Sequence, residues 1–133
     1  MAAGGRILAL THAHLRTHVR AGLSTGQLDR LAEDFIRSHD GAVPAFKGLY
    51  GFPGAICISV NEEIVHGIPS PKRVLAEGDI VKLDVGVQYQ RMFTDAAITV
   101  AVGTIDPTTQ RLVDGTERAL DAGIAQAVPG NYV

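Results

Sequence analysis

At 133 residues, with a formal net charge of −2 and a pI near 6.2, the chain is long enough for one domain with a hydrophobic core and too short for two. This charge provides no basic field for nucleic acid or for an anionic membrane surface. The single cysteine, Cys57, excludes an internal disulfide and a cysteine-based metal site. The sequence shows neither a secretory signal nor an apolar stretch of membrane-spanning length. We therefore expect a globular, cytoplasmic protein without nucleic-acid or membrane partners.

The N-terminal part of the chain predicts two packed helices. Residues 3–19 have helical character, and Ser24 with Gln27 forms a capping box that opens a second helix with one apolar stripe. In the first helix, His14 and His18 lie four residues apart on one face. Because no carboxylate or further ligand is near them in sequence, we interpret them as exposed histidines rather than as a metal site.

A glycine-rich loop with large apolar side chains follows at residues 42–53. Leu49 and Phe52 in this loop suit either the wall of an apolar pocket or anchors in the core. A strand is predicted at residues 55–60, and after it His66 stands among apolar residues directly before Gly and Pro. A histidine in this setting is either a hydrogen-bonded structural residue or a catalytic group.

Residues 78–102 are typical of two strands, because they are rich in Val, Ile and Thr. Each strand carries one aspartate, Asp84 or Asp95, and an ionised carboxylate is costly to bury without a cation or several donors. A hairpin centred on Tyr89–Gln90 would place the two aspartates directly opposite each other, with Cβ atoms roughly 4.5–5.5 Å apart. A shared proton or a bound divalent cation would relieve their repulsion. The alternative is a pair of unrelated surface aspartates, since the register is assumed.

Asp106 and Pro107 begin a third helix, as its cap and its first helical residue, and the helix stops at Pro129–Gly130. The order of elements is therefore two helices, then strands, then one helix. This order predicts an α+β domain in which helices cover one face of a mostly antiparallel sheet.

His66, Asp84 and Asp95 form the strongest candidate constellation in the sequence. The two carboxylates supply oxygen ligands for divalent ions, and the histidine supplies a general base or a proton donor. A metal-assisted hydrolase uses such groups to hold its metal ions and to polarise a carbonyl. The residues alone therefore favour metal-assisted hydrolysis.

Three stretches resemble type I methionine aminopeptidases: residues 59–69 (SVNEEIVHGIP), residues 78–86 (GDIVKLDVG) and Thr94–Asp95. The resemblance covers essentially the whole chain and includes the GLSTGQLD turn. Xaa-Pro peptidases and creatinase-like enzymes share the paired aspartates but not the sequence NEEIVHGIP of residues 61–69. The resemblance implies a pita-bread fold of two αβ halves. Residues 1–133 would form the first half, as a single incomplete peptidase domain.

The resemblance also implies a role for each candidate residue. Asp84 would ligate one of two divalent metal ions (Co, Mn, Fe or Zn), and Asp95 would bridge both. His66 would contact the amine or the scissile region of the substrate without ligating metal. The methionine side chain would lie in an apolar pocket lined by Cys57, Phe52 and Leu49. The implied reaction is metal-dependent removal of the initiator methionine from the N-terminus of nascent chains.

The departures from the family pattern leave several interpretations open. The complete family site also takes a histidine and two glutamates from its second half. After Asp95, this sequence has no histidine, and its only glutamate is Glu117. The chain is interpreted as a partial sequence of such an enzyme. The alternatives are a catalytically inactive half-length module that binds or dimerises, or an Xaa-Pro peptidase of the same fold. The uncovered surface of a missing half also predicts self-association.

Overall fold

The computed structural model describes residues 1–132, which form three α-helices and four strands with a short 3₁₀ turn at Leu49–Gly51. In chain order the elements are α1 (Ala2–Arg16), α2 (Thr25–Arg37), β1 (Ala42–Pro44), β2 (Cys57–Val60), β3 (Ile80–Tyr89), β4 (Met92–Ala101) and α3 (Pro107–Ala125). Each helix in this range is too short or too polar to span a lipid bilayer.

Strand β3 is the centre of the sheet. Strand β4 pairs with it along one edge, while β2 pairs with its residues 81–84 and β1 with its residues 87–89 along the other edge. All three pairings are antiparallel, which confirms the predicted sheet type. Among the strands that the structure describes, only β3 pairs with other strands along both of its edges.

The two faces of β3 have different surroundings. Val81, Leu83, Val85 and Val87 are fully buried on one face, which packs against α1, and they share one core cluster with buried residues of α2. The alternation of side chains along a strand places Lys82, Asp84 and Gly86 on the opposite face. The core therefore lies between the two N-terminal helices and one face of the sheet. Its other main contributors are Leu8, Leu15, Leu28, Ala32, Ile36, Ile58 and Val60.

The capping box of α2 is confirmed. The Ser24 hydroxyl accepts a hydrogen bond from the Gln27 backbone N–H at 3.2 Å, and the Gln27 side chain accepts one from the Ser24 N–H at 2.9 Å. Helix α1 ends at Arg16, three residues earlier than predicted, where the Thr17 hydroxyl donates to the His14 carbonyl at 2.7 Å. A side chain that binds a backbone carbonyl in this way competes with further helix formation.

The histidines of α1 have structural roles. The His14 ring stacks on Phe35 of α2 with a centroid distance of 4.4 Å, and the His18 Nδ1 lies 2.8 Å from the His14 carbonyl. His12 is buried, with its Nε2 3.2 Å from the Leu83 carbonyl of β3. His14 thus joins α1 to α2 and His12 joins α1 to the sheet, while His18, just after α1, binds back to that helix. Both His14 and His18 are half-buried rather than exposed.

Two strand predictions need correction. Strand β1 lies within the predicted loop, because three residues are too few to show an alternating pattern. Strand β2 begins at Cys57 instead of residue 55, because the N–H groups of Ala55 and Ile56 donate to the Asp29 carboxylate and not to a neighbouring strand.

Helix α3 begins as predicted but has no buried residue. The Asp106 carboxylate accepts hydrogen bonds from the N–H groups of Thr108 and Thr109, and the helix ends at Ala125, earlier than Pro129. Beside it lies an open cavity of about 460 Å³. The lining residues include Ile80, Lys82, Ala97, Thr99, Leu112, Val113 and Leu120. The apolar side of α3 thus faces a space that residues 1–132 leave unfilled.

We expect the chain to self-associate at micromolar concentration, because Leu112 and Leu120 of α3 are 62% and 61% exposed and β4 has a free edge. The variant with Leu112→Glu and Leu120→Glu should sediment closer to the monomer mass. Arg118→Glu in the same helix is the control, since it changes the charge by the same amount without removing apolar surface. A native chain that sediments as a monomer over this range would contradict the expectation.

Candidate metal centre

Strands β3 and β4 are joined by a two-residue turn at Gln90–Arg91, in which φ is +50° and +63°. The predicted turn at Tyr89–Gln90 is therefore wrong by one residue. A type I′ hairpin turn has positive φ at both central positions, which Asn-Gly or Asp-Gly normally supplies, and this turn has neither dipeptide. The error moves the pairing by two residues along β4. An even shift leaves every side chain on its predicted face.

Asp84 lies opposite Ala97 and Asp95 lies opposite Gly86, so the two aspartates are diagonal neighbours on one face. Diagonal positions have Cα atoms roughly 7–8 Å apart, a distance that two carboxyl side chains can bridge. Burial raises the pKa of Asp84, and the charge of Asp95 and a hydrogen bond with it raise this pKa further, to about 6. The pair is therefore suited to share a proton or to bind a cation, as expected, although the geometry differs from the expected facing pair.

The structure brings His66 near this pair. Its side chain is exposed on the segment between β2 and β3, and its charge acts on Asp84 in the direction that lowers the pKa of that carboxyl group. The histidine backbone has a φ of +59°, in the left-handed region. The role of His66 in substrate contact stays a prediction.

Cys57 lies opposite Asp84 across the β2–β3 pairing and therefore shares its face of the sheet. It is buried, and burial raises the pKa of the thiol to about 11, with smaller contributions from the charges of Asp84, Asp95 and Asp29. A thiol with such a pKa stays protonated at neutral pH. Burial and the neighbouring carboxylates thus disfavour the thiolate form of Cys57, and its place in a substrate pocket stays a prediction.

Leu49 and Phe52 lie at the two ends of the 3₁₀ turn. Leu49 is 53% exposed, and Phe52 is half-buried, with its N–H donating to the Leu49 carbonyl at 2.9 Å. A second hydrogen bond, from the Gly48 N–H to the Phe52 carbonyl at 2.9 Å, closes the base of this turn. The membership of both residues in a methionine pocket stays a prediction.

The structure adds Phe46, which the sequence analysis did not select. Its ring packs directly on Gly86, the residue opposite Asp95, and a Cβ atom on that glycine would lie 2.4 Å from the Phe46 Cε1. A glycine inside a strand often marks such a close approach, so Gly86 was the available signal. The aromatic ring places an apolar surface beside the carboxylate pair.

Asp29 of α2 fixes the chain where it enters β2. Its Oδ1 accepts hydrogen bonds from the N–H groups of Ala55 at 2.8 Å and Ile56 at 3.0 Å. Burial raises the pKa of this carboxyl group, and the two hydrogen bonds act in the opposite direction. Asp29 therefore determines where Cys57 begins the strand.

Asp84 and Asp95 fit part of a metal site. Carboxylate oxygens suit hard and borderline divalent ions, and a cation between two mutually repelling carboxylates lowers their energy. In residues 1–132, however, no group of three or more His, Cys, Asp or Glu side chains is arranged to hold a metal ion. The pair could supply two ligands of a coordination shell, which would need further ligands to be complete.

The sequence profile of metallopeptidase family M24 matches residues 1–133. The chain belongs to this family. Methionine aminopeptidase 1 of Bacillus subtilis is 48% identical over 130 residues, which cover 98% of this chain and 52% of the relative. Methionine aminopeptidase of Clostridium acetobutylicum is 44% identical over 131 residues, with the same two coverages. The chain spans about half the length of these curated relatives.

Solved structures of the family have the same fold. Methionine aminopeptidase from Thermotoga maritima matches with a TM-score of 0.91 and 36% identity, over 96% of this chain and 51% of that chain. The prolidase from Pyrococcus horikoshii OT3 matches with a TM-score of 0.83 over 96% of this chain and 35% of that chain. Its identity is 21%, so this second likeness shows the fold alone. The predicted half of a pita-bread fold and the resemblance to type I methionine aminopeptidases are both confirmed.

We expect Gly86→Ala to lower the free energy of unfolding by about 1–3 kcal/mol, because the added methyl group overlaps the Phe46 ring. The double variant with Phe46→Ala should recover much of that loss, which urea unfolding measures as a double-mutant cycle. Gly123→Ala is the control, since no atom lies within 4 Å of its added Cβ. Equal effects of Gly86→Ala with and without the Phe46 ring would contradict the contact.

Asp29 should make a pH-dependent contribution to stability. Because burial raises its pKa above that of the unfolded chain, the folded chain binds this proton more tightly. As the pH falls from neutral to about 4, the free energy of unfolding of the native chain should therefore rise relative to that of Asp29→Asn, which does not titrate. Urea unfolding at several pH values measures this difference, with Asp34→Asn, at an exposed position of α2, as the control. A relative fall with decreasing pH would be the contrary result.

Proposed function

We propose that this chain supplies the carboxylate pair and part of the substrate pocket of a cytoplasmic, metal-dependent peptidase that removes methionine from the N-terminus of nascent proteins. The observation that carries the proposal is the pairing of Asp84 and Asp95 on the open face of the β3–β4 hairpin, beside Cys57. Family membership and relatives named methionine aminopeptidase support this reaction.

Asp84 and Asp95 would hold two divalent ions, with Asp95 shared between them, and Co, Mn, Fe and Zn all accept such ligands. When bound, these ions supply Lewis acidity that polarises the scissile carbonyl of the substrate. The carboxylates would hold the ions on their own face of the sheet, where Ala97 has a small side chain and the Phe46 ring packs on Gly86.

His66 would contact the substrate and not the metal ions. Its imidazole can donate one hydrogen bond and accept another, which suits a peptide amide or a terminal amine next to the scissile bond. Its exposed position near Asp84 leaves the ring accessible to a bound peptide.

The methionine side chain would lie against apolar and polarizable groups. The neutral thiol of Cys57 and an aromatic ring make favourable contacts with a thioether. The proposed wall consists of Cys57, Phe52 and Leu49, and the ring of Phe46 adds to it.

We infer that the chain needs further ligands to work as this peptidase, because residues 1–132 offer two carboxylates and the relatives are about twice as long.

An inactive half-length module that dimerises is the second candidate, and the exposed apolar side of α3 favours it. An Xaa-Pro peptidase is a third. The interpretation of residues 1–133 as a single incomplete domain stays a prediction.

The metal assignment is testable by calorimetric titration with Mn²⁺. We expect weak binding to the native chain, and its loss in Asp84→Asn and in Asp95→Asn, because each variant removes one charged ligand. Asp34→Asn removes an equal charge from an exposed position of α2 and should bind Mn²⁺ as the native chain does. Unchanged Mn²⁺ binding in both Asp84→Asn and Asp95→Asn would contradict the assignment.

The reaction is testable with the peptides Met-Ala-Ser and Ala-Pro-Ser in the presence of Mn²⁺. We expect the 133-residue chain to bind Met-Ala-Ser in preference to Ala-Pro-Ser and to show negligible turnover of both, since its ligand set is incomplete. Robust turnover that disappears in Asp95→Ala would contradict the need for further ligands. A preference for Ala-Pro-Ser would support the Xaa-Pro alternative.

A further inference from the structure

The backbone of His66 is held in an unfavourable conformation. Its φ is +59°, and a left-handed conformation is unfavourable for a residue with a Cβ atom, because that atom crowds the following carbonyl oxygen. Strained residues of this kind persist only where the surrounding structure fixes them, and they concentrate at functional sites. His66 is therefore held by contacts of the segment around it.

The next residue, Gly67, is fixed by two consecutive residues of β2. Its N–H donates to the Ser59 hydroxyl at 3.0 Å, and its carbonyl accepts a hydrogen bond from the Ile58 N–H at 2.9 Å. Ser59 is buried, with 2% of its surface exposed. A Cβ atom on Gly67 would lie 2.1 Å from the Ile58 carbonyl oxygen, so the two backbones are in direct contact and no larger residue fits.

The ends of the segment around His66 are anchored separately. Before it, the Asn61 side chain accepts from the Ile80 N–H at 3.0 Å and donates to the Asp79 carboxylate at 2.8 Å. After it, the Ser70 N–H donates to the Thr25 hydroxyl at 2.9 Å. Between residues 64 and 69, the hydrogen bonds that the structure describes are the two made by Gly67. Local control of the His66 conformation therefore rests on this contact.

We propose that Ser59 is a positioning residue for His66: its buried hydroxyl binds the Gly67 N–H and thereby keeps the preceding histidine in its left-handed conformation beside the Asp84–Asp95 pair. This inference rests on the proposed contact of His66 with substrate. Ser59 would act on His66 through the backbone of Gly67, without contacting the carboxylates or the substrate.

The test uses the full chain, labelled with ¹⁵N and with ¹³C-histidine, in NMR measurements of amide exchange and of the His66 signals. In Ser59→Ala, loss of the acceptor should accelerate exchange of the Gly67 amide by roughly 10- to 100-fold relative to the β3 amides, and should shift the His66 signals. Ser59→Thr retains the hydroxyl and should restore both. Thr11→Val removes an equally buried hydroxyl from α1 and should leave both unchanged.

The comparison with β3 separates positioning from general destabilisation, because a merely structural role would accelerate exchange of the Gly67 and β3 amides together. Selective release of Gly67 with a shift at His66 supports the proposal. Equal acceleration at all sites, or unchanged His66 signals in Ser59→Ala, would overturn it.

Addition of Met-Ala-Ser and Zn²⁺ to the same samples tests the proposed function separately. We expect the peptide to shift the His66 signals of the native chain, and to shift them less in Ser59→Ala at unchanged Zn²⁺ affinity. If the native His66 does not respond to the peptide while Ser59→Ala still releases Gly67, the substrate role of His66 fails and its positioning by Ser59 stands.

Discussion

The double pairing of β3 is the constraint on which the rest of the structure depends. Because β3 is hydrogen-bonded along both edges, its side-chain alternation cannot slip without disrupting three other strands. One face then buries residues such as Leu83 against the helices, and the other must carry Asp84. The pairing with β2 brings Cys57 to the same face, and the pairing with β4 brings Asp95. The candidate metal centre is thus a consequence of sheet register.

Hydrogen bonds to the neighbouring strands also position the segment between β2 and β3 that carries His66. Three of its motif residues make defined contacts: Asn61 binds the start of β3, the Glu63 carboxylate accepts the Val60 N–H at 2.7 Å, and Gly67 lies against β2. These contacts fix the backbone on both sides of the histidine while its ring stays exposed. A rigid scaffold with an accessible imidazole is the arrangement that contact with a peptide substrate requires.

The sequence predicted the features that depend on local pattern and missed those that depend on tertiary contacts. The capping box at Ser24 and the shared face of the aspartates follow from spacing, and an error of two residues in register does not change a face. The register itself was missed because Gln90–Arg91 adopts positive φ without Gly or Asn. Asp29 and Phe46 were missed because their partners are distant in sequence, and neither residue type signals such a contact by itself.

The central claim is that Asp84 and Asp95 together bind a divalent ion. Diffraction from crystals soaked in Mn²⁺, recorded near the manganese absorption edge, tests it most directly. We predict an anomalous peak roughly 2–2.5 Å from carboxylate oxygens of both aspartates, which disappears in crystals of Asp84→Asn. A peak elsewhere, such as at His14 and His18, with none between the two aspartates would contradict the account.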